Sequence, residues 1–175
     1  MIIEAEIINQ PYSGEYEERI YDNESPWNSQ NWTWIKFKED DANDWCGQFR
    51  GTPRKVSISR IYGKGLVLTS DYLYEIDLKT GDILNLEDQP QYHNLTTAPD
   101  GSFIIADYYS VERISSGLEN KEHIKSPIEM DMIEFKEWKD DLLEFTCDEF
   151  MNWDRHLVMI YDNEMNEIMI KNKDT

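Results

Sequence analysis

Three histidines, two cysteines and a large surplus of carboxylates are the side chains with which this sequence would do chemistry. His93, His123 and His156 are scattered, with no two inside one helical turn, no HExxH and no Cys-x-x-Cys, so their spacing carries no metal signature. Asp162-x-Glu164-x-Asn166 starts like a calcium loop. Glu167 stands where that loop needs its glycine, and Lys173 stands where it needs its last carboxylate. The run Glu39-Asp40-Asp41-Ala42-Asn43-Asp44 is dense enough to attract a cation weakly but lacks a ligand order. Paired carboxylates could hydrolyse glycosides, yet with 36 acids almost any pairing can be drawn. Cys46 has no histidine nominated to activate it, and GxSxG, the P-loop and GxGxxG are all missing from the sequence. The expectation is a protein with no catalytic residues, no cofactor and no metal.

Charge is the stronger signal. Thirty-six acids against seventeen bases give a formal net charge of −19, and the excess is uneven. Residues 1–50 hold 11 acids and 4 bases, 51–100 hold 7 and 5, 101–150 hold 13 and 5, and 151–175 hold 5 and 3. Such a field repels phosphate backbones and anionic lipid surfaces and draws in basic proteins, so neither nucleic acid nor membrane is expected as a partner. The acids also sit beside large aromatics: Glu39, Asp40, Asp41 and Asp44 next to Trp45, then Glu137, Asp140 and Asp141 around Trp138, then Asp148, Glu149 and Asp154 around Trp153. Aromatic anchors ringed by complementary charge are how many interfaces combine affinity with fast association. The competing explanation is that these tryptophans are core and the acids only a solvated face. With Glu129, Asp131 and Glu134 added and Asp154 left out, the three clusters form the expected partner-binding set.

The elements that must position these residues read as strands. Ile3, Ala5 and Ile7 share one face with the two acids on the other; Tyr72, Tyr74 and Ile76 share a face, as do Val56 and Ile58, and Leu143, Phe145 and Cys147. LVMIY, residues 157–161, is apolar on both faces and predicts a central strand followed by a closing hairpin. Thr80-Gly81 and Pro99-Asp100-Gly101-Ser102 are hairpin and type I turn signals. A weak repeat links Leu66–Tyr72 to Phe103–Tyr108, with Gly65 and Gly101, and Asp71 and Asp107, offset by the same 36 residues. Two copies do not make a closed propeller. The expected fold is mainly β: antiparallel meanders forming a sandwich or a partly curled, propeller-like sheet in one domain over 1–175. Residues 9–31 read as an irregular excursion and 56–116 as two blade-like hairpin units. One or two short helices are expected. MDMIEFKEWKDDLLEF is ambiguous, since Phe135, Trp138 and Leu142 recur at helical spacing while Ile133 and Phe135 alternate like a strand.

The N-terminal run MIIEAEIINQ contains acids and no basic stretch, no apolar run reaches the roughly 18 residues of a membrane span, and two cysteines make no disulfide framework. A cytoplasmic chain with buried thiols is expected. The phrases WTWIKF, WCGQFRG, LTSDYLYEIDLKTG and TAPDGSFIIADYYSVERI, within residues 32–170, resemble those of small bacterial immunity proteins. These are the antidotes to polymorphic and contact-dependent growth inhibition toxins. The family shares a role and an acidic character more than a motif, so no residue is carried over by position. The resemblance implies a cytosolic inhibitor that covers the cleft of a basic toxin, an RNase more readily than a DNase. A carbohydrate-binding or glycan-processing β-protein is the alternative, and a self-associating scaffold is a further one.

Overall fold

A computed structural model describes residues 1–171, apart from the side chain of Trp153. The described residues form two compact units, one from Met1 to Gln91 and one from Tyr92 onward, and each has its own core. Among the described residues sixteen strands build four sheets of four strands each.

Unit 1 contains two sheets. The first uses β1 (Ile2–Ile8), β2 (Glu17–Tyr21), β3 (Trp32–Glu39) and β4 (Asp44–Arg50) in the order β1-β3-β4-β2, with β2 parallel to β4 and the other pairs antiparallel. The second is a simple meander of β5 (Pro53–Ser59), β6 (Lys64–Thr69), β7 (Tyr72–Asp77) and β8 (Ile83–Asp88). Their shared core is aromatic. Phe49 stacks on Tyr21 at 4.4 Å and meets Tyr74 edge-on at 5.0 Å, while Phe37 packs on Trp45 at 4.5 Å. Each such pair adds roughly 0.5–1.5 kcal/mol beyond the area it buries.

Unit 2 repeats the meander twice: β9 (Asn94–Thr97), β10 (Phe103–Ala106), β11 (Val111–Ile114) and β12 (Lys121–Ile124), then β13 (Met130–Lys139), β14 (Leu142–Glu149), β15 (Asn152–Asp162) and β16 (Glu167–Ile170). Phe145, Met159, Tyr161 and Leu143 from the last sheet bury themselves against Ile104, Ala106 and Val111 of the other. The two sheets of unit 2 are also stitched by Asn94, which is 5% exposed. Its Nδ2 donates to the Ile133 carbonyl at 2.9 Å, and its Oδ1 accepts the Phe135 N–H at 3.0 Å.

The mainly β, antiparallel expectation therefore stands, and three of the four sheets are four-stranded meanders of the form a propeller blade takes. The expected short helices do not: among the described residues there is no helix, and MDMIEFKEWKDDLLEF is the β13–β14 hairpin. The cause is a pair of irregularities in β13, between Asp131 and Glu134 and between Phe135 and Trp138. Each bulge advances the phase by one residue. The inward side chains become Met130, Ile133, Phe135 and Trp138, whose gaps of three and two imitate a helix. Within 9–31, five residues form β2, and the rest is irregular.

The weak repeat has a structural meaning. Its two copies, in β6 and β10, are each the second strand of a four-stranded meander, and Asp71 and Asp107 each lie in the connection that follows. Asp107 Oδ1 accepts the N–H groups of Tyr109 and Ser110 at 2.8 and 2.7 Å. A second echo lies one turn later in the meander. Asp77 Oδ1 accepts the N–H groups of Lys79 and Thr80, and Asp162 Oδ1 accepts those of Glu164 and Met165. Gly81 (φ 78°) and Asn166 (φ 54°) then supply the left-handed residue each turn needs. The Asp162 carboxylate is thus occupied by turn geometry.

Candidate partner interface

The last sheet of unit 2 displays most of the expected acidic set, because β13 and β14 carry it. Residues 129–149 hold nine acids (129, 131, 134, 137, 140, 141, 144, 148 and 149) and two lysines, a net of −7. Strand alternation sorts them. Phe135, Phe145 and Met159 line up across one face, as do Trp138, Leu143 and Tyr161, and this is the core side. On the opposite face run three cross-strand rows: Asp131–Asp148–His156, Glu134–Thr146–Val158, and Glu144–Ile160–Met169. This outer face holds a depression of about 400 Å³ bounded by Met132, Glu134, Thr146, Asp148, His156 and Val158. Met132 stands 56% exposed at its edge. Apolar contact surface and carboxylates therefore alternate on one solvent face.

Several of these carboxylates have partners. Glu134 pairs with Lys136 at 2.7 Å, Glu137 with Lys139 at 2.9 Å, and Glu144 with Lys171 at 2.5 Å. The Lys171 hydrogen bond holds the Glu144 carboxyl below its ordinary range, and the Glu137 hydrogen bond raises Lys139. Glu149 accepts from Asn152 and Arg155 at 2.8 and 2.7 Å, and those hydrogen bonds, Asn152's first, lower its pKa. Asp148 meets His156 Nδ1 at 2.6 Å. By contrast Glu129 and Asp140 have no ion-pair partner among the described residues, and Asp141 only accepts from Asn163.

The tryptophans divide differently from the expectation. Trp138 faces inward, donates from Nε1 to Thr96 Oγ1 at 3.0 Å and packs edge-on against Tyr161. It orients β13 and is not an exposed anchor. Trp45 is 4% exposed in the core of unit 1, with the Arg19 guanidinium 4.3 Å over its ring. For these two the core explanation holds. The side chain of Trp153 lies outside the described part of the structure. Glu39, Asp40, Asp41 and Asp44 cluster at the β3–β4 turn of unit 1, where local work occupies most of them. Asp40 takes the Met1 amine at 2.9 Å, which lowers its pKa; Asp41 holds Asn43, and Asp44 holds Lys36 at 3.3 Å.

The residues missed by the sequence reading are aromatics on loops. Tyr108 and Tyr109 follow the Asp107 turn, and Phe150 and Met151 form the β14–β15 turn; all four are exposed. They make a continuous series in which His93 stacks on Tyr108 at 4.1 Å. Tyr108 meets Tyr109 at 6.4 Å, and Tyr109 meets Phe150 at 6.2 Å and 82°. Tyr109 and Phe150 flank a groove of about 380 Å³ floored by Ile124 and Met130, with Glu129 and His123 at its rim. Two adjacent tyrosines straight after a turn aspartate were the signal: a turn cannot bury both. Among the described residues no three His, Cys, Asp or Glu side chains gather into a group that could hold a metal.

No family model and no curated protein matches the sequence. Among solved structures the chain is similar to one from the S. cerevisiae complex of a dbp5 variant bound to nup159, a gle1 variant, ip6 and adp. That match has 7% identity over 70% of this chain and 34% of the other, with a TM-score of 0.47. It is also similar to the N-terminal domain of Nup159, with 6% identity over 70% and 34% and a TM-score of 0.47. A third is luciferin-regenerating enzyme, with 15% identity over 74% and 51% and a TM-score of 0.43. The chain thus spans between a third and about half of the length of the chains it matches.

Proposed function

We propose that this chain is a binding protein that neutralises a basic protein toxin of the immunity type, and that the outer face of the β13–β16 sheet is its docking surface. The observation that carries the proposal is the set of carboxylates Asp131, Glu134, Glu144 and Asp148 interleaved on one solvent face with Met132, Val158 and Met169, in a segment, 129–149, whose net charge is −7. Carboxylates on that face accelerate encounter with a basic surface, and the apolar side chains between them slow dissociation once docked. A nuclease fits this description because its cleft must hold phosphates. An acidic sheet laid over such a cleft excludes the substrate by charge and by bulk. Catalysis by the chain itself has no support in the arrangement of its histidines, cysteines and acids.

The test mixes the chain with each basic protein encoded by neighbouring genes that cleaves RNA, with RNA cleavage as the readout. Stoichiometric inhibition is expected, with an association rate that falls steeply between low and physiological salt. The variant D131N/E134Q/D148N should slow association by roughly tenfold while leaving the melting temperature close to that of the parent. Full inhibition by this variant at an unchanged rate would show that the face is the wrong one. No complex with any basic product of the neighbouring genes would remove the toxin reading.

A second reading, glycan binding, is favoured by Trp27. This residue is 54% exposed and lines a polar hollow with Glu24, Asn28, Gln30 and Arg50, its indole fixed by a hydrogen bond to the Ser70 carbonyl at 3.1 Å. Soluble oligosaccharides that raise the melting temperature of the parent but not of a W27A variant would establish it.

A further inference from the structure

The groove between Tyr109 and Phe150 has the construction of a receptor for a single cationic side chain, and we propose that it takes an arginine side chain from the docked basic partner. This rests on the reading above for the identity of the partner, but not for the chemistry of the groove. Three features define that chemistry.

The first is the presence of two exposed aromatic faces set almost perpendicular, with their centroids 6.2 Å apart at 82°. A guanidinium placed against one ring meets the electron-rich face of the first and stays within reach of the second, and aromatic faces attract cations best where water is partly excluded. The second is an uncommitted carboxylate. The chain's neighbouring acids at 134, 137, 144 and 149 all hold a cation of their own, whereas Glu129 at the rim has none among the described residues. A guanidinium presents a planar fork of donors that suits a carboxylate, while its flat surface suits a ring. The third is preorganisation. Asp107 clamps the N–H groups of Tyr109 and Ser110, the Phe150 N–H donates to the Glu129 carbonyl at 2.9 Å, and the Ile133 N–H donates to the Tyr108 carbonyl at 3.2 Å. Both walls and the rim are therefore tied to one another through the backbone, so little loop ordering remains to be done on binding.

Size agrees with the assignment. About 380 Å³ lies near the lower end of the roughly 300–1,000 Å³ of ligand pockets, enough for one long side chain and too little for a folded segment. The buried floor, Ile124 at 2% and Met130 at 4% exposed, offers an apolar surface to the methylene stem.

The experiment titrates the full chain with argininamide and, separately, with norleucinamide, following amide and aromatic NMR resonances. No partner protein is involved, so its outcome is independent of the inhibition assay. Argininamide should saturate shifts at Tyr109, Glu129 and Phe150 with a Kd on the order of 1–10 mM, as expected for one small cation. Glu129→Gln should weaken it by about fivefold or more, and so should Phe150→Leu, which keeps an apolar wall but removes the ring. Both positions are exposed, so these variants are expected to fold, and their amide spectra check it. Absence of saturable shifts overturns the proposal. So does norleucinamide binding as tightly, which would mark a simple apolar hollow, and so do shifts confined to acids elsewhere on the sheet. A chain that inhibits a nuclease yet ignores argininamide would sink this inference and leave the function standing.

Discussion

Replacing Asn94 with alanine should loosen unit 2 more than any other single polar change described above. The side chain is 5% exposed and makes two hydrogen bonds to the backbone of β13, at 2.9 Å to the Ile133 carbonyl and 3.0 Å from the Phe135 N–H. Truncation deprives both backbone groups of their partner at once. A buried polar group left unpaired costs about 1–3 kcal/mol, and Phe135 is only half-buried, so water recovers part of one bond. The sum is about 2–4 kcal/mol. For a cooperative unit of this size, each kcal/mol corresponds to roughly 4–8 °C, giving a fall of about 10–25 °C in Tm. Urea denaturation gives the free energy, and native-state amide exchange locates it: Phe135 should lose protection out of proportion to Phe145 in the neighbouring strand. Trp138→Phe is the comparator, because it removes one half-buried hydrogen bond to Thr96 and should cost about 0.5–1.5 kcal/mol. If Asn94→Ala costs no more than Trp138→Phe, and the Phe135 amide stays protected, then apolar packing alone holds the two sheets together and the stitching argument is wrong.

Other expectations follow from the same reasoning. Gly51→Ala should destabilise unit 1 by more than about 2 kcal/mol in urea, since φ is 106° and a Cβ would lie 2.7 Å from Thr69 Oγ1 and 2.9 Å from the Asp71 N–H nitrogen. Asp77→Ala and Asp162→Ala each remove a carboxylate that holds two turn N–H groups, and each should cost about 1 kcal/mol in its own unit. Alkaline conditions should weaken the fold. Burial pushes Cys46 and Cys147 from 9.0 up to about 11 and Tyr21 from 10.0 up to about 12. Folded pKa values above the unfolded ones mean that stability is complete below the unfolded values and declines as pH rises through the folded ones, so urea midpoints should fall steadily from about pH 9 to about pH 12. Midpoints constant over that window would show that these groups ionise without unfolding cost.

Much of the fold was legible because half-buried strands announce themselves. β14 alternates cleanly, β7 sets Tyr72, Tyr74 and Ile76 on one face although it is buried on both, and the turns at 77–81 and 99–102 carry residues whose backbone preferences leave little choice. β13 was opaque for a physical reason, as its two bulges break the period that identifies a strand, and Met132 takes a positive φ of 55° at the first of them. β2 was opaque for another: it is an exposed edge strand, joined by parallel pairing, whose first four residues face solvent and so carry no hydrophobic pattern. At the candidate interface, charge located the right hairpin but could not separate inward from outward residues. Trp138 and Trp45 were read as anchors because composition cannot tell a core indole from a surface one. The aromatic groove escaped notice because its walls come from two turns about forty residues apart, brought together only by tertiary packing.

The two cysteines have a use that their burial creates. Cys46, fully buried in β4, and Cys147, 2% exposed in β14, are the only thiols in the chain, and they fall one to each compact unit. A thiol reagent can reach either only when the sheet around it opens, and the raised pKa of each thiol suppresses any reaction in the closed state. When closing outruns labelling, the trapping rate of each cysteine reports the equilibrium population of its own open form. One time course, read by peptide mass, would therefore deliver two separate opening free energies from an unmodified protein. Equal values would identify a single cooperative block, and unequal values would rank the two units by how often each exposes its interior.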